Sequence, residues 1–342
     1  MKINFLTPHL RISGGTRIIL TYASLLAERG HDVTVFVRSS NVIRRNIANI
    51  LRLGYPKWIH NFKAKVIRVP DFNESSIGPA DVIIATTFAT AKTIDGYKEA
   101  AGKKFYLVQH DEGMYHGDRR EVDEALRLNQ KKIVVSTWLR DILKNNHGQD
   151  SEVLLNPIDT NLFRSLERKP HDELRILLLH HVYDWKGTKE GLEIVRQLKE
   201  QYPHIRIMGF GVRDKDAGEL FDEYYYDLPQ EKLAWLYSRA DIYLCPSWDE
   251  GAGLPSMEAM ACGTALVTYD NGGSWDYAFD GQTALVAKHK DLPDLKRKLE
   301  TAIKDSKLRE SIAKNAVQFF DKHPTWEEQV IKLEGILKES LK

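Results

Sequence analysis

The chain has 342 residues, 42% of them hydrophobic and 28% charged, with 49 Lys plus Arg against 48 Asp plus Glu. That balance belongs to a globular protein long enough for two domains, and it excludes the basic excess of a nucleic-acid binder, so no nucleic-acid partner is expected. Two cysteines, Cys245 and Cys262, exclude a disulfide framework.

No stretch reaches the roughly 18 uninterrupted apolar residues of a membrane span, and the apolar run near Met1 is too short for a signal peptide. A cytoplasmic protein is therefore expected. The charge is uneven along the chain. Residues 1–165 carry 24 basic and 17 acidic side chains, and the remainder 25 and 31. A positive front half fits an anionic partner there.

Short apolar runs alternate with helical patterns. The series opens with a strand at 3–7, a helix at 15–29 closed by Gly30, and a strand at 33–37. Strands follow at 66–69, 82–85, 105–108 and 133–135, with helices at 90–101, 120–129 and 137–146. A second series runs from a strand at 175–179 through a helix at 188–201 to strands at 205–208, 242–245, 265–268 and 284–286. Helices at 292–303 and 306–320 close it. After a break at His323 and Pro324, a last helix capped by Thr325 extends to about residue 341. This alternation predicts an α/β protein with parallel sheets covered on both faces. The polar stretch 164–173, with Pro170, splits it into two doubly wound, Rossmann-like domains facing one another, 1–165 and 166–321, followed by a terminal segment 322–342.

In open α/β sheets, ligands bind at the carboxyl ends of strands. After the first strand, Gly14 and Gly15 open a helix, where close backbone approach and free N–H groups suit an anion. No Gly-Lys-Ser/Thr follows, so this is not a P-loop, and the third Gly of a dinucleotide fingerprint is missing. Strand two runs into Arg38, which leaves an NADP-type reading as a weaker alternative. Gln109 and His110 follow the strand at 105–108. His110, Asp111, Glu112 and His116 also allow a metal reading, but without a recognised ligand spacing. In the second series, Lys186 and Gly187 lie between strand and helix, where an ammonium meets a phosphate as a point charge.

The run 249–263, DEGAGLPSMEAMACG, follows the strand at 242–245. Pro255 fits the first helical position, and the N–H groups around Gly253 to Ser256 favour negative charge. Glu250 and Glu258 beside a diphosphate would repel it unless hydroxyls occupy them. A nucleotide sugar has diols at both ends and phosphates between. One acid for the sugar, one for the ribose and backbone N–H groups for the phosphates make a consistent site.

Residues 250–263 resemble the signature of group 1, or family 4, glycosyltransferases, with two glutamates separated by seven residues. Gly14-Gly15 is similar to that family's glycine loop. Residues 136–140 (STWLR), 156–163 (NPIDTNLF), Lys186-Gly187, 271–276 (NGGSWD) and 280–286 (DGQTALV) resemble its further motifs in order. The resemblance implies a GT-B fold and metal-independent, retaining transfer of a hexose from a nucleotide-diphosphate sugar, with no cofactor. Cell-surface polysaccharide, glycolipid or glycoconjugate synthesis is the implied setting. It further implies that the second domain holds the donor, the first most of a sugar or lipid-linked acceptor, and that the last helix returns to the first domain. Carried over by position, Glu250 contacts the hexose and Glu258 the ribose. Gly253 and Leu254 N–H groups, Gly14-Gly15 and Lys186 hold the diphosphate, and His110 lies near the transferred sugar.

The sequence also departs from that pattern. His180 and His181 stand where the family has a Gly-Arg pair, and a neutral imidazole does not replace a guanidinium. His181 is thus the donor-site position in question, with Arg11 or Arg17 as assisting cations. Pro157 replaces a Gly and Asp276 a Glu. Other readings are a sugar-nucleotide epimerase or hydrolase of the same architecture, a non-catalytic nucleotide-sugar binding protein, and a metal-dependent GT-A enzyme using Asp214 and Asp216. Finally, between Val33 and Pro70 stand eight Lys or Arg residues and no acid, interleaved with Leu51, Leu53, Tyr55, Trp58, Ile59 and Phe62. Residues 38–68 are a candidate surface for anionic lipid, and imply peripheral attachment to the inner face of the membrane.

Overall fold

The computed structural model describes residues 1–50, 61–167 and 171–342. Two compact units result, Met1–Asn156 with Glu327–Lys342, and Pro157–Trp326. In the first, the order is β1 (Lys2–Thr7), α1 (Gly14–Glu28), β2 (Asp32–Arg38), α2 (Val42–Ile50), β3 (Lys65–Val69), α3 (Glu74–Ile77), β4 (Val82–Ala85), α4 (Phe88–Asp95), β5 (Lys103–Val108), α5 (Arg119–Arg127), β6 (Lys131–Val134), α6 (Thr137–His147) and β7 (Ser151–Val153). The seven strands pair in parallel in the order β3-β2-β1-β4-β5-β6-β7. β1, β4 and β5 are central and buried on both faces, with Ile3, Phe5, Ile83, Ile84 and Phe105 at most 1% exposed.

The second unit holds β8 (Leu174–Leu179), α7 (Thr188–Gln201), β9 (Ile205–Gly211), β10 (Glu223–Tyr226), α8 (Gln230–Arg239), β11 (Ile242–Cys245), α9 (Leu254–Ala261), β12 (Ala265–Tyr269), β13 (Ala284–Ala287), α10 (Leu292–Lys304) and α11 (Ser306–Phe320). Its strands are also parallel, in the order β10-β9-β8-β11-β12-β13. Both sheets are doubly wound. The chain order reverses between β1 and β4 in one and between β8 and β11 in the other, which puts the loops after those strands at the switch points where ligands bind. The centre of this second sheet is apolar. Ile176, Leu178 and Leu244 are fully buried there with Val195 and Leu299 from the covering helices α7 and α10.

The expected boundary at residue 165 lies instead after Asn156. The reason is packing. The Phe163 ring lies 6.2 Å from Tyr237, and the Ser238 hydroxyl donates to the Arg164 carbonyl at 3.2 Å, so 157–165 joins the second unit. The terminal segment likewise begins at 327 rather than 322, because His323 packs on Phe319 and Phe320. The helix expected at 90–101 ends at Asp95, since Gly96 stops it and a separate turn of 3-10 helix follows at Glu99–Ala101. No helix of the described residues is long and apolar enough to cross a membrane.

The last helix, α12 (Trp326–Glu339), belongs to the first unit, where Val330, Leu333 and Leu337 are buried. Glu334 anchors it. Its carboxylate accepts from Arg29 Nε at 2.8 Å, bonds His31 Nε2 at 3.0 Å and pairs with Lys338 at 2.5 Å. Lys338 first, then Arg29 and His31, hold its pKa down to about 2 against the opposing effect of burial. A carboxylate with a depressed pKa stabilises the fold above its ordinary range near 4.5 and loses that contribution as pH falls through about 2. Glu334→Ala is expected to destabilise the first unit by about 2 kcal/mol at pH 7. Urea unfolding at pH 7 and at pH 3 measures this, and the gap between variant and parent should shrink at pH 3.

Candidate functional site

In the second unit, the loops after β8 and β11 meet over one small cavity. Its walls include Lys186, Ser247, Glu250, Gly253, Pro255 and Ser256. Lys186 closes a turn, with its N–H donating to the Tyr183 carbonyl at 3.1 Å, and Gly187 leads into α7. The Lys186 ammonium reaches Glu250 Oε1 at 2.5 Å and sits 4.2 Å from the centroid of the Trp185 ring. Both charged side chains are mostly buried, at 15% and 12% exposure.

Glu250 is held from the other side by the loop after β12. Its N–H donates to the Asn271 carbonyl at 2.9 Å, and it forms an isolated parallel bridge with Gly272. Asn271 is 1% exposed and is fixed in turn by Thr268 and by the Ser274 N–H, at 3.2 and 3.1 Å. The Trp248 N–H donates to the Trp185 carbonyl at 2.9 Å, tying the β11 loop to the β8 loop. The carboxylate and the ammonium are thus set by three loops of one sheet edge.

α9 starts behind this pair. Gly253 is its N-cap in a left-handed conformation at φ +76°, and a Cβ there would strike the Tyr277 hydroxyl. The helix begins at Leu254, so Pro255 is its second residue rather than its first. Since Gly253, Pro255 and Ser256 wall the cavity, the positive end of the helix faces it.

His181 lies beside the pair. Its Nδ1 accepts from the Tyr183 N–H at 3.2 Å, which leaves the proton of a neutral ring on Nε2. Burial, and then the positive charges of Lys186 and Arg213, push its pKa down to about 4. It is therefore neutral near pH 7. Glu258 occupies a different position. It is 2% exposed on the inner side of α9, accepts from the Tyr237 hydroxyl at 3.2 Å, and is not among the groups lining the cavity. Leu254 is also buried and outside that lining.

The first unit places its own candidate residues at its carboxyl edge. Gly14 and Gly15 are the first residues of α1, capped by the Ser13 hydroxyl, which accepts from Thr16 N–H at 3.1 Å. Gln109 packs against Gly15, with its amide 3.3 Å from where a Cβ would stand. His110 Nδ1 bonds the Asp111 carbonyl at 2.9 Å. The quartet with metal-like chemistry does not converge. Asp111 is held by Arg119 at 2.7 Å, Glu112 accepts from the Phe88 N–H and the Tyr106 hydroxyl at 2.6 and 2.9 Å, and the rings of His110 and His116 stand 6.1 Å apart. Asp214 and Asp216 form a turn in which the Asp216 N–H donates to Asp214 at 3.0 Å. Among the described residues, no group of three or more His, Cys, Asp or Glu is placed to hold a metal.

Three features were not legible in the sequence. Glu112 is a buried carboxyl whose pKa burial pushes up to about 7 despite its two donors. Trp185 roofs Lys186, and Arg213 reaches the His181 loop from β9. Only the packing of neighbouring loops reveals these.

The chain is similar to known proteins in both sequence and fold. Residues 159–319 match the family described as glycosyl transferases group 1. A Campylobacter jejuni N,N'-diacetylbacillosaminyl-diphospho-undecaprenol alpha-1,3-N-acetylgalactosaminyltransferase is 29% identical over 160 residues, 45% of this chain and 41% of its own length. A D-inositol 3-phosphate glycosyltransferase of Corynebacterium aurimucosum is 32% identical over 254 residues, 65% of this chain and 60% of its own. The matched part thus spans less than two thirds of these relatives. The crystal structure of Anabaena HepE in complex with UDP and glucose superposes with a TM-score of 0.77 at 16% identity, over 99% of this chain and 100% of that one. The fold is GT-B, and residues 159–319 are similar to the group 1 glycosyltransferases.

Proposed function

We propose that the chain transfers a hexose from a nucleoside-diphosphate sugar to a sugar or lipid-linked acceptor, with retention at the anomeric carbon, in the synthesis of a surface polysaccharide or glycoconjugate. The observation that carries this reading is the Lys186–Glu250 pair, 2.5 Å apart, in a cavity walled by the first turn of α9. A cation, a helix N-terminus and a hydrogen-bond-accepting carboxylate at one sheet edge match the three parts of such a donor. Support also comes from the relatives. One solved neighbour holds UDP and glucose, and one curated relative is named for an acceptor on a diphospho-undecaprenol.

The chemical step breaks the bond between the anomeric carbon and the diphosphate oxygen, and charge grows on that oxygen as it leaves. In this reading Lys186 exchanges Glu250 for the diphosphate. The released Glu250 carboxylate then accepts from hydroxyls of the hexose. The exchange matters energetically, because a buried ion pair gains little over its desolvation cost, so a ligand that supplies a second anion competes well for the ammonium. The α9 N-terminus stabilises the same developing charge without reorganising. Glu258 is assigned to the ribose diol. A carboxylate has several acceptor sites, so the Tyr237 hydrogen bond need not be lost.

The acceptor side of the proposal rests on charge. α2 presents Val42 and Ile43 to solvent, at 56% and 74% exposure, beside a basic sequence. Leu51, Leu53, Tyr55, Trp58 and Ile59, which complete the interleaved apolar set, lie outside the described residues. An anionic membrane surface is the partner this segment would take, and it would bring a lipid-linked acceptor within reach.

Two measurements check this function. With UDP-, GDP-, dTDP- and ADP-hexoses as donors, Lys186→Ala is expected to lower kcat by about 10²–10³, and Glu258→Ala to weaken donor binding by about tenfold. Unchanged kinetics in both variants refute the site. Separately, the protein is expected to sediment with vesicles containing phosphatidylglycerol at low salt and to be released as salt rises. Indifference to both lipid charge and salt ends the membrane reading.

A further inference from the structure

A nucleoside diphosphate brings about three negative charges to its site at neutral pH, each phosphate ionising as such groups do. The cavity offers less positive charge than it first presents. Lys186 is opposed by Glu250 at 2.5 Å, and His181, the other basic side chain beside it, is a neutral ring held by the Tyr183 N–H. The dipole of α9 supplies only a partial charge. A further cation is needed for a tight diphosphate site, and the fold brings one to the same edge.

β8 and β9 are neighbours in the sheet, so their carboxyl-end loops run side by side. The His180 N–H donates to the Phe210 carbonyl at 2.7 Å, and Gly211 lies so close to the β8 loop that a Cβ there would stand 2.8 Å from the His180 carbonyl. This close approach delivers Arg213, two residues on, to the face of Tyr183. The guanidinium carbon is 5.0 Å from the centroid of that ring, and Nη1 donates to its hydroxyl at 3.3 Å. Tyr183 stands 4.6 Å from the ring of His181 and stacks on Trp185, which carries Lys186 over its face. One aromatic row therefore links Arg213 to Lys186, with His181 alongside.

The neighbouring carboxylate does not take this guanidinium. Asp214 bonds His180 Nε2 at 3.3 Å with one oxygen and accepts from the Asp216 N–H at 3.0 Å with the other. Arg213 itself is exposed and bonded to a neutral phenol. Arg11 and Arg17, the cations suggested by sequence, belong to the first unit, whereas Arg213 is built into the unit that holds Lys186.

We infer that Arg213 is a donor-binding residue, its guanidinium held by Tyr183 to supply the second cation for the diphosphate beside Lys186. This rests on the cavity's being a nucleoside-diphosphate site. It makes the Arg213–Tyr183 contact a determinant of diphosphate affinity that leaves the nucleoside portion untouched.

Isothermal titration of the full chain with UDP, GDP, dTDP and ADP selects the tightest diphosphate, which is then compared with its own nucleoside. Arg213→Gln is expected to weaken the diphosphate by about tenfold or more, as loss of a charge-assisted contact does. Its nucleoside affinity should stay within about twofold, and Arg213→Lys should fall between parent and Gln variant, because it keeps the charge without the fork. His181→Arg added to Arg213→Gln should restore most of the binding, which a merely structural role for Arg213 would not allow. Equal diphosphate binding by parent and Arg213→Gln overturns this inference alone. So does an equal loss for diphosphate and nucleoside. Failure of the parent to bind any of the four overturns the nucleotide-sugar reading as well.

Discussion

The ion pair between Lys186 and Glu250 is the constraint around which the second unit's sheet edge is organised. An ammonium and a carboxylate 2.5 Å apart with little solvent are not held there for stability, because removing two charges from water costs about what their attraction returns. They are held by backbone. The turn after β8 fixes Lys186, the bridge to Gly272 fixes Glu250, and the Trp248–Trp185 hydrogen bond locks the two loops together. Such a pair is positioned by the fold itself, and it would present opposite charges to the phosphates and hydroxyls of the proposed donor.

That arrangement depends on the parallel sheet beneath it. Strands buried on both faces place their carboxyl ends at one level, and the reversal between β8 and β11 opens a crevice between loops that then diverge. The left-handed N-cap at Gly253 turns the chain from the β11 loop directly into α9, so the helix meets the same crevice. The Tyr277 hydroxyl occupies the space a side chain at 253 would need. Sheet, cap and buttressing loop act as one device, and each is specified by residues with little freedom to change.

Much of this was legible in the sequence, and the exceptions have physical causes. Central strands such as 82–85 and 242–245 are continuous apolar runs, and their bounds agree with β4 and β11. β7 and β10 lie at sheet edges. Ser151–Val153 is too short and polar to carry a pattern, and Glu223–Tyr226 reads as a polar-aromatic run without alternation. α8 escapes a reading of the sequence because it carries few of the usual start signals, with Pro229 at its cap and no side-chain hydrogen bond there. At the site, spacing identifies Glu250, Gly253 and Lys186 as neighbours of one crevice, since each follows a strand or opens a helix. It also gives Glu258 an equal standing with Glu250, whereas the helix sets the buried Glu258 against the Tyr237 hydroxyl. A spacing of eight residues across a loop and a helix fixes no common direction, and only the position of the cap decides it.

The charges of the second unit lead to a consequence for how a ligand enters. Its sequence has more acids than bases after residue 165, and its cavity pairs its lysine with a glutamate and keeps His181 neutral. The Lys186–Glu250 pair itself draws no anion from a distance, because opposed charges a few ångströms apart cancel beyond a Debye length. In the proposed reading, recognition at this pair is made at contact, by exchange of partners at Lys186 and by fixed donors at the α9 terminus. Contact recognition of that kind discriminates by shape and by hydroxyl pattern. In the proposed reading a free phosphate would replace Glu250 at the ammonium but bring no hydroxyl to the carboxylate, whereas a ligand carrying both phosphate and sugar would engage both. On that reading, the Lys186–Glu250 pairing disfavours an incomplete ligand.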